Sequence, residues 1–274
     1  MRTNEVQGVA TSSKEPRVFP KGQLVEVFAS IQGEGPLVGT PTQFVRVAGC
    51  PLRCRYCDTV NSYRAPQEVS VLDGVGRRLE SLHNPASVEE IPDLFPGIPS
   101  WLSLTGGEPL DQPEFAEALF RKFRGLGKKN LLETAAHNAR KLSGLLPFID
   151  LLSMDYKLPS TLLGGASFIT ETGSIGSLQA EQVKCLEKAI AAQVTTSVKI
   201  VLTPGMTQQE LSEAFQKLLS FREFFTLVLQ PVSPAHLVKK QLDHRTLKEA
   251  WWSALSLGFD TLVLPQVHRQ LDWL

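Results

Sequence analysis

Three of the four cysteines fall within eight residues, in Gly49-Cys50-Pro51-Leu52-Arg53-Cys54-Arg55-Tyr56-Cys57-Asp58-Thr59. Thiols at C-x3-C-x2-C spacing on one short loop can wrap a face of a cuboidal iron–sulfur cluster and satisfy three of its irons. Full protein ligation takes a fourth cysteine. The remaining one, Cys185, lies more than a hundred residues on, within a stretch of helical spacing, and reads as buried packing. The fourth iron is then open to an external ligand. A second constellation, Thr105-Gly106-Gly107-Glu108-Pro109, follows some fifty residues after the cysteines. Two glycines let backbone approach a ligand closely, and one carboxylate can satisfy an ammonium.

Blander readings have less behind them. A structural zinc site needs four ligands, and neither a second C-x2-C pair nor histidines at matching spacing accompany Cys54 and Cys57. A redox pair made from those two cysteines would leave Cys50 without a purpose. Gly-Gly-Glu-Pro alone is commonly just a turn after a strand. Its position at a strand end, after the cysteine loop, gives it chemical meaning.

The elements that must carry these groups alternate. Gln23–Phe28 and Gln43–Val47 read as strands, the second leading straight into the cysteines. From Ser100 onward, apolar strands at 100–105, 131–134, 149–155, 197–202, 225–230 and 261–264 are separated by helix-length segments. A helix is expected from Asp111, with Glu114 completing a capping box and Gly125 and Gly127 ending it; Thr207 and Glu210 open another in the same way. Residues 179–193 and 247–257 show helical spacing, and 159–177 reads as a loop or small insertion. Such alternation implies βαβ units, hence an α/β fold with a mainly parallel sheet. Chemically capable residues recur just after the strands: the cysteines, Gly106-Gly107-Glu108, Glu133-Thr134, Asp155 with Lys157, Thr203, Gln230, and Gln266 with His268. That is the active-site end of a βα barrel. About six parallel strands argue for an open, partial (β/α) barrel with an extra N-terminal strand region, rather than a closed barrel of about eight.

The 274 residues have no net formal charge, and 42% are apolar and 20% charged. That balance carries no electrostatic footprint for nucleic acid or an anionic membrane. No apolar run approaches the roughly 18 residues of a membrane span. Residues 1–20 are polar and read as a flexible leader without a signal-peptide core, followed by one domain over 21–274. Few, clustered cysteines fit a reducing compartment, so a cytoplasmic location is expected.

On the cysteine loop, with Tyr56 before its last cysteine, and on Thr105–Pro109, the sequence resembles the radical S-adenosylmethionine superfamily. The resemblance implies a [4Fe–4S] cluster on Cys50, Cys54 and Cys57, with S-adenosylmethionine on the open iron as the source of a 5′-deoxyadenosyl radical. Tyr56 would then lie near the adenine, and Gly106, Gly107 and Glu108 would hold the cofactor's amino group.

A narrower resemblance spans nearly the whole chain. Ser30-Ile31-Gln32-Gly33-Glu34-Gly35, Phe44-Val45-Arg46, Cys57-Asp58-Thr59, Leu229-Gln230-Pro231 and Gln266-Val267-His268 are similar to the 7-carboxy-7-deazaguanine synthase family. That family contracts the ring of 6-carboxy-5,6,7,8-tetrahydropterin with release of ammonia, in queuosine and deazapurine biosynthesis, and depends on Mg2+. By resemblance, Ile31, Gln32, Gly33 and Glu34 line the pterin site, and Arg46 pairs with the substrate carboxylate, a task its fork geometry suits. Arg46 could equally pair with Glu26. Thr59 offers a hydroxyl to Mg2+, Thr105 touches substrate, and His268 and the carboxylate of Leu274 reach it from the C-terminus. Glu133, Ser153, Asp155 and Lys157, with Gln230, Pro231, Val232 and Ser233, line the cofactor. A homodimer and a flavodoxin or ferredoxin as electron donor are likewise implied.

Two departures stand out. The resemblance leads one to expect Glu-Thr-Asn-Gly or similar where this chain has Glu133-Thr134-Ala135-Ala136, which implies an altered cofactor contact. Segments 66–99 and 164–176 match nothing and read as caps or partner surfaces. The main rival is an activating enzyme that installs a glycyl radical on a partner protein, since it shares the C-x3-C-x2-C loop. A protein substrate has no need of a site for a carboxylated pterin and Mg2+, which Gln32–Gly35 and Asp58-Thr59 suggest.

Overall fold

The computed structural model describes residues 19–164, 167–169 and 175–273. Residues 1–18 of the expected leader and Leu274 therefore lie outside the described residues, as does part of the 164–176 insertion. Strand β1 (Leu24–Ile31) runs antiparallel to β2 (Pro41–Val47), with Phe28 opposite Phe44 and their rings stacked at 4.8 Å. The stretch read as an unplaced cap instead continues the sheet. There β3 (Glu68–Leu72) lies parallel to β1, and β4 (Arg78–His83) pairs antiparallel with β3.

On the other side of β2 the strands are all parallel: β5 (Trp101–Gly106), β6 (Lys129–Thr134), β7 (Leu151–Asp155), β8 (Thr195–Leu202), β9 (Thr226–Pro231) and β10 (Thr261–Val263). The sheet order is β10-β9-β8-β7-β6-β5-β2-β1-β3-β4, ten strands with two unpaired ends. This is the expected open, partial barrel. Its parallel run gains one strand over the expected six because β2 pairs with β5, bringing the cysteine loop into register with the Gly106-Gly107 turn.

Helices α1 (Pro113–Gly125), α2 (Ala139–Leu145), α3 (Leu178–Ala191), α4 (Gln208–Leu218) and α5 (His244–Ser256) fill the crossovers. The spacing of Phe115, Ala116, Leu119, Phe120 and Phe123 puts one stripe of α1 into the core. Each fully buried phenylalanine contributes about 1.5–3 kcal/mol over its exposed state. Gly127, at φ +77°, turns the chain after α1.

The capping box expected at Asp111 and Glu114 does not form. Pro109–Asp111 is a separate 3-10 turn, and α1 begins at Pro113 with Gln112 as a cap residue that makes no side-chain cap bond. The Gln112 amide donates to the Gln23 and Ala48 carbonyls instead. Thr207 does cap α4 by accepting from the Glu210 N–H, whereas the Glu210 carboxylate reaches across to Ser160. Within the insertion, Ser167–Ile169 pairs with Ile175–Ser177. No described helix is long and apolar enough to cross a membrane.

Candidate active site

The loop after β2 and the turn after β5 are stitched together by backbone. Gly107 N–H donates to the Val47 carbonyl at 2.8 Å, and Glu108 N–H donates to the Gly49 carbonyl at 2.7 Å. The approach leaves no room for a side chain: a Cβ on Gly107 would lie 2.0 Å from the Gly49 carbonyl oxygen. Gly106 adopts φ +108°, a region that side chains disfavour. The paired glycines are therefore required by packing before any ligand arrives.

Cys50, Cys54 and Cys57 are free, partly buried thiols lining one cavity of about 210 Å3 at the C-terminal ends of the parallel strands. Leu52, Ala135, Leu162 and Leu178 form a small apolar floor against Cys50 and Cys54. Arg53 braces the loop through the Cys50 and Leu52 carbonyls, and Arg55 N–H donates to the Thr161 carbonyl. Burial, then the Glu108 carboxylate, pushes the Cys50 thiol up to about 12, and burial raises Cys54 as well. The thiols thus need a cationic partner to ionise, which iron supplies. Among the described residues no three His, Cys, Asp or Glu side chains converge on a single metal ion. Ligands to different corners of a cluster need not converge in that way. Cys185 stands apart, fully buried in α3 with its Sγ donating to the Ala136 carbonyl at 3.1 Å.

Lys157, just after β7, organises the wall behind the cysteines. Its ammonium donates to Asp155 Oδ2 at 2.6 Å and to the Tyr56 hydroxyl at 2.9 Å. Burial works against the charge, but Asp155 above all carries the Lys157 pKa well above the ordinary lysine value. Asp155 and Gln230 line the same cavity, and their Oδ1 and Oε1 atoms are buried without a hydrogen-bond partner. Two orphaned acceptors on cavity-lining residues fit a ligand that brings donors, such as ribose hydroxyls or an ammonium. Ser153, Glu133, Gly106, Val232 and Ser233 complete this wall, whereas Pro231 is not part of the lining.

Glu108 is buried and already busy. Its carboxylate accepts from Leu110 N–H, the Thr134 hydroxyl and Ala135 N–H, and His137 stands 3.9 Å away. Three bonds fill three of roughly four acceptor positions of a carboxylate. His137 in turn meets Asp111 at 3.1 Å, which explains why Asp111 is not free to cap α1.

The end of β1 and the loop after it bring Ile31, Gln32, Gly33 and Glu34 to the same cavity. Gln32 donates to Glu133 at 3.1 Å, and Glu133 also accepts from Ser103. Arg46 lines the cavity but is held through Nε by Glu26 at 2.7 Å, the structural pairing weighed from the sequence; no other Arg46 hydrogen bond is made among the described residues. Thr105 and Thr59 also face the cavity, and the Thr59 hydroxyl lies 3.9 Å from Cys57 Sγ.

The segment after β10 packs against the loop after β1. Val267 N–H donates to the Gly33 carbonyl at 2.9 Å, and His268 packs against Gly33 so closely that a Cβ there would meet Nδ1 at 2.0 Å. Gln266 donates to Glu34 at 2.6 Å and to Asp58 at 3.0 Å. Lys199, a residue the sequence reading missed, projects from β8 into the cavity and forms an ion pair with Glu34. Its only sequence signal is one cation within the apolar run Ser197–Leu202.

Residues 44–218 match the family model described as the Radical SAM superfamily. A 7-carboxy-7-deazaguanine synthase of Methanopyrus kandleri is 31% identical over 266 residues, covering 94% of this chain and 96% of its own. One from Geobacter sulfurreducens is 29% identical over 263 residues, covering 91% and 97%. The crystal structure of QueE from Escherichia coli, 20% identical, superposes with a TM-score of 0.58 over 91% of this chain and 94% of its own, and shares the fold. By its matched residues and its near-full-length relatives, the chain belongs to the radical SAM superfamily and, within it, to the 7-carboxy-7-deazaguanine synthase family.

Proposed function

We propose that this protein is a radical SAM lyase that converts 6-carboxy-5,6,7,8-tetrahydropterin to 7-carboxy-7-deazaguanine with release of ammonia, in queuosine or related deazapurine biosynthesis. The conversion is redox-neutral overall, since substrate less ammonia has the composition of product. The observation that carries the reading is one cavity lined by both the three thiols and the Gln32–Glu34 loop.

Cys50, Cys54 and Cys57 would hold the [4Fe–4S] cluster. When bound, the cluster and S-adenosylmethionine supply the electron and the 5′-deoxyadenosyl radical that open the chemistry. Gly106 and Gly107 would present their backbone to the cofactor's methionine end, packed as they are against the cysteine loop, and the remaining Glu108 acceptor position would take one of its ammonium protons. Asp155 Oδ1 and Gln230 Oε1 are available to its donors, and Tyr56, Ser153, Val232 and Ser233 shape the adenosine wall.

At the other end Gln32, Gly33, Glu34, Thr105 and His268 would line the pterin. Arg46 keeps its terminal nitrogens for the substrate carboxylate while Glu26 holds Nε. Thr59 would offer its hydroxyl to Mg2+, an oxygen-seeking ion that retains several waters. Pro231 supports its neighbours through its pairing with β8. Family resemblance further supports a cytoplasmic homodimer reduced by a flavodoxin or ferredoxin.

The test is mass spectrometry of an anaerobic reaction containing reconstituted protein, S-adenosylmethionine, Mg2+, dithionite and 6-carboxytetrahydropterin. Appearance of 7-carboxy-7-deazaguanine is the expected result. Formation of only 5′-deoxyadenosine and methionine would reject the pterin and turn the search to a protein substrate.

A further inference from the structure

Lys199 is an expensive residue in its place. It stands mid-strand in β8, only 9% exposed, between Val198 and Ile200, which are fully buried. Burying an ammonium costs several kcal/mol even when it is paired, and an apolar residue would pack there at less cost. Its Nζ contacts Glu34 Oε2 and lies 3.8 Å from Asp155 Oδ2. Asp155 is already served by Lys157 at 2.6 Å. Glu34 has no other cation in salt-bridge contact among the described residues, so the closest obligation of Lys199 is to Glu34.

Glu34 is itself a junction. One carboxylate oxygen meets Lys199 and the other accepts from Gln266. Gln266 also donates to Asp58, which follows Cys57 directly. Beside this knot, Val267 N–H holds the Gly33 carbonyl and His268 lies against Gly33. The segments that follow β10 and β1, two strands that do not pair with each other, are therefore joined by contacts converging on residues 33–34 and 266–268.

We propose that Lys199 is a positioning residue: acting through Glu34, it fixes the Gln32–Glu34 loop and the Gln266–His268 segment against each other, and so sets the wall of the cavity that receives the substrate. This rests on the assignment of that end to the pterin. The cofactor end, built on Tyr56, Lys157 and the Gly106-Gly107 turn, keeps the closer Lys157–Asp155 pair at 2.6 Å when Lys199, 3.8 Å from Asp155, is replaced.

The groups facing Lys199 are Glu34, Asp155 and Glu133. Burial alone would raise the Glu34 pKa, but Lys199 above all, with Gln266 and His268, brings it down to about 2. Without Lys199 the burial effect is unopposed by its main partner, and Glu34 titrates at higher pH.

The experiment compares the cluster-loaded wild-type protein with Lys199→Met, Lys199→Arg, Glu34→Gln and the Lys199→Met/Glu34→Gln double variant. Hydrogen exchange needs no substrate and reads the clamp directly. Lys199→Met is expected to speed exchange in residues 32–40 and 264–271 while leaving 100–110 unchanged. In turnover, Lys199→Met should raise KM for 6-carboxytetrahydropterin about tenfold, with S-adenosylmethionine affinity kept. That KM should fall as pH rises through the restored Glu34 titration, a dependence absent from wild type and from both Glu34→Gln variants. Lys199→Arg should recover most of the loss, and the double variant should be no worse than its poorer single parent. Unchanged exchange in both segments would overturn the proposal, as would a double variant whose losses simply add. Loss of cluster or of cofactor affinity together with pterin affinity in Lys199→Met would show a general structural role and overturn it too. Absence of product from the wild-type protein would strike the pterin assignment, while the exchange result still decides the clamp.

Discussion

The ammonium of Lys157 lies 2.9 Å from the phenol oxygen of Tyr56, a contact across 101 residues of sequence. It joins the loop of the cysteines to the end of β7. The same ammonium pairs with Asp155, so one cation both anchors the aromatic side chain between Cys54 and Cys57 and balances a half-buried acid.

Lys157→Met should therefore act on stability and on cofactor binding together. Removing one partner of a buried pair costs roughly 3–5 kcal/mol, with the residual Lys199 contact at 3.8 Å offsetting part of it. Urea unfolding should show the loss, and adding Asp155→Asn should restore much of it. A double variant as unstable as the sum of the singles would reject the coupling. S-adenosylmethionine affinity should fall about tenfold as Tyr56 loses its tether.

Replacing Cys50, Cys54 or Cys57 by Ala should leave the reconstituted protein without its cluster absorbance and with little iron. Cys185→Ala should keep both. Its thiol donates to a buried carbonyl, and losing that hydrogen bond costs about 1 kcal/mol. Iron assay and visible absorbance decide; full iron in Cys54→Ala would remove that residue from the ligand set.

Gly107→Ala puts a methyl group into the Gly49 carbonyl. The loops after β2 and β5 must then separate, displacing Cys50, so cluster loading and cofactor binding should both fail. Gly125→Ala, at the end of α1 with open space around its added Cβ, is the control. It should be neutral or stabilising by about 0.5–1 kcal/mol. Normal loading of Gly107→Ala would show that the close approach is dispensable.

The Glu34–Lys199 pair fixes part of the acid response. Glu34 is depressed from 4.5 to about 2 in the folded chain. A depressed carboxylate contributes stability that is present above the unfolded value, about pH 4.5, and lost as pH falls toward about 2. Urea midpoints of the wild-type chain should decline across that window. The decline should be shallower in Glu34→Gln, whose amide does not titrate; identical slopes in the two proteins would refute the contribution.

What the sequence disclosed follows from where each signal lives. The parallel strands β5 to β9 are buried on both faces, so they appear as apolar runs, and their end residues, Gly106, Glu133, Asp155 and Gln230, declare themselves by chemistry. The hairpin of β3 and β4 stayed hidden because Arg78–His83 is mostly exposed, and its charges gave no apolar alternation to read. Asp111 was misread as a cap since His137, which claims it, is 26 residues away. Lys199 and Glu34, 165 residues apart, carry no local trace of each other. Only the folded sheet brings them together. The Glu108 motif was legible as a carboxylate at a turn, but its three internal donors come from the turn itself and from the next strand end.

The two edges of the ten-stranded sheet are unlike, yet neither invites another strand. One is β4, with Arg78, Glu80 and His83 along a largely exposed ribbon; the other is β10, only three residues long. Charged and very short edges are how sheets resist growth by strand addition. A second copy of this chain accordingly has to dock through helices and loops, and crowding or partial unfolding at these rims offers no ready template for fibrous assembly.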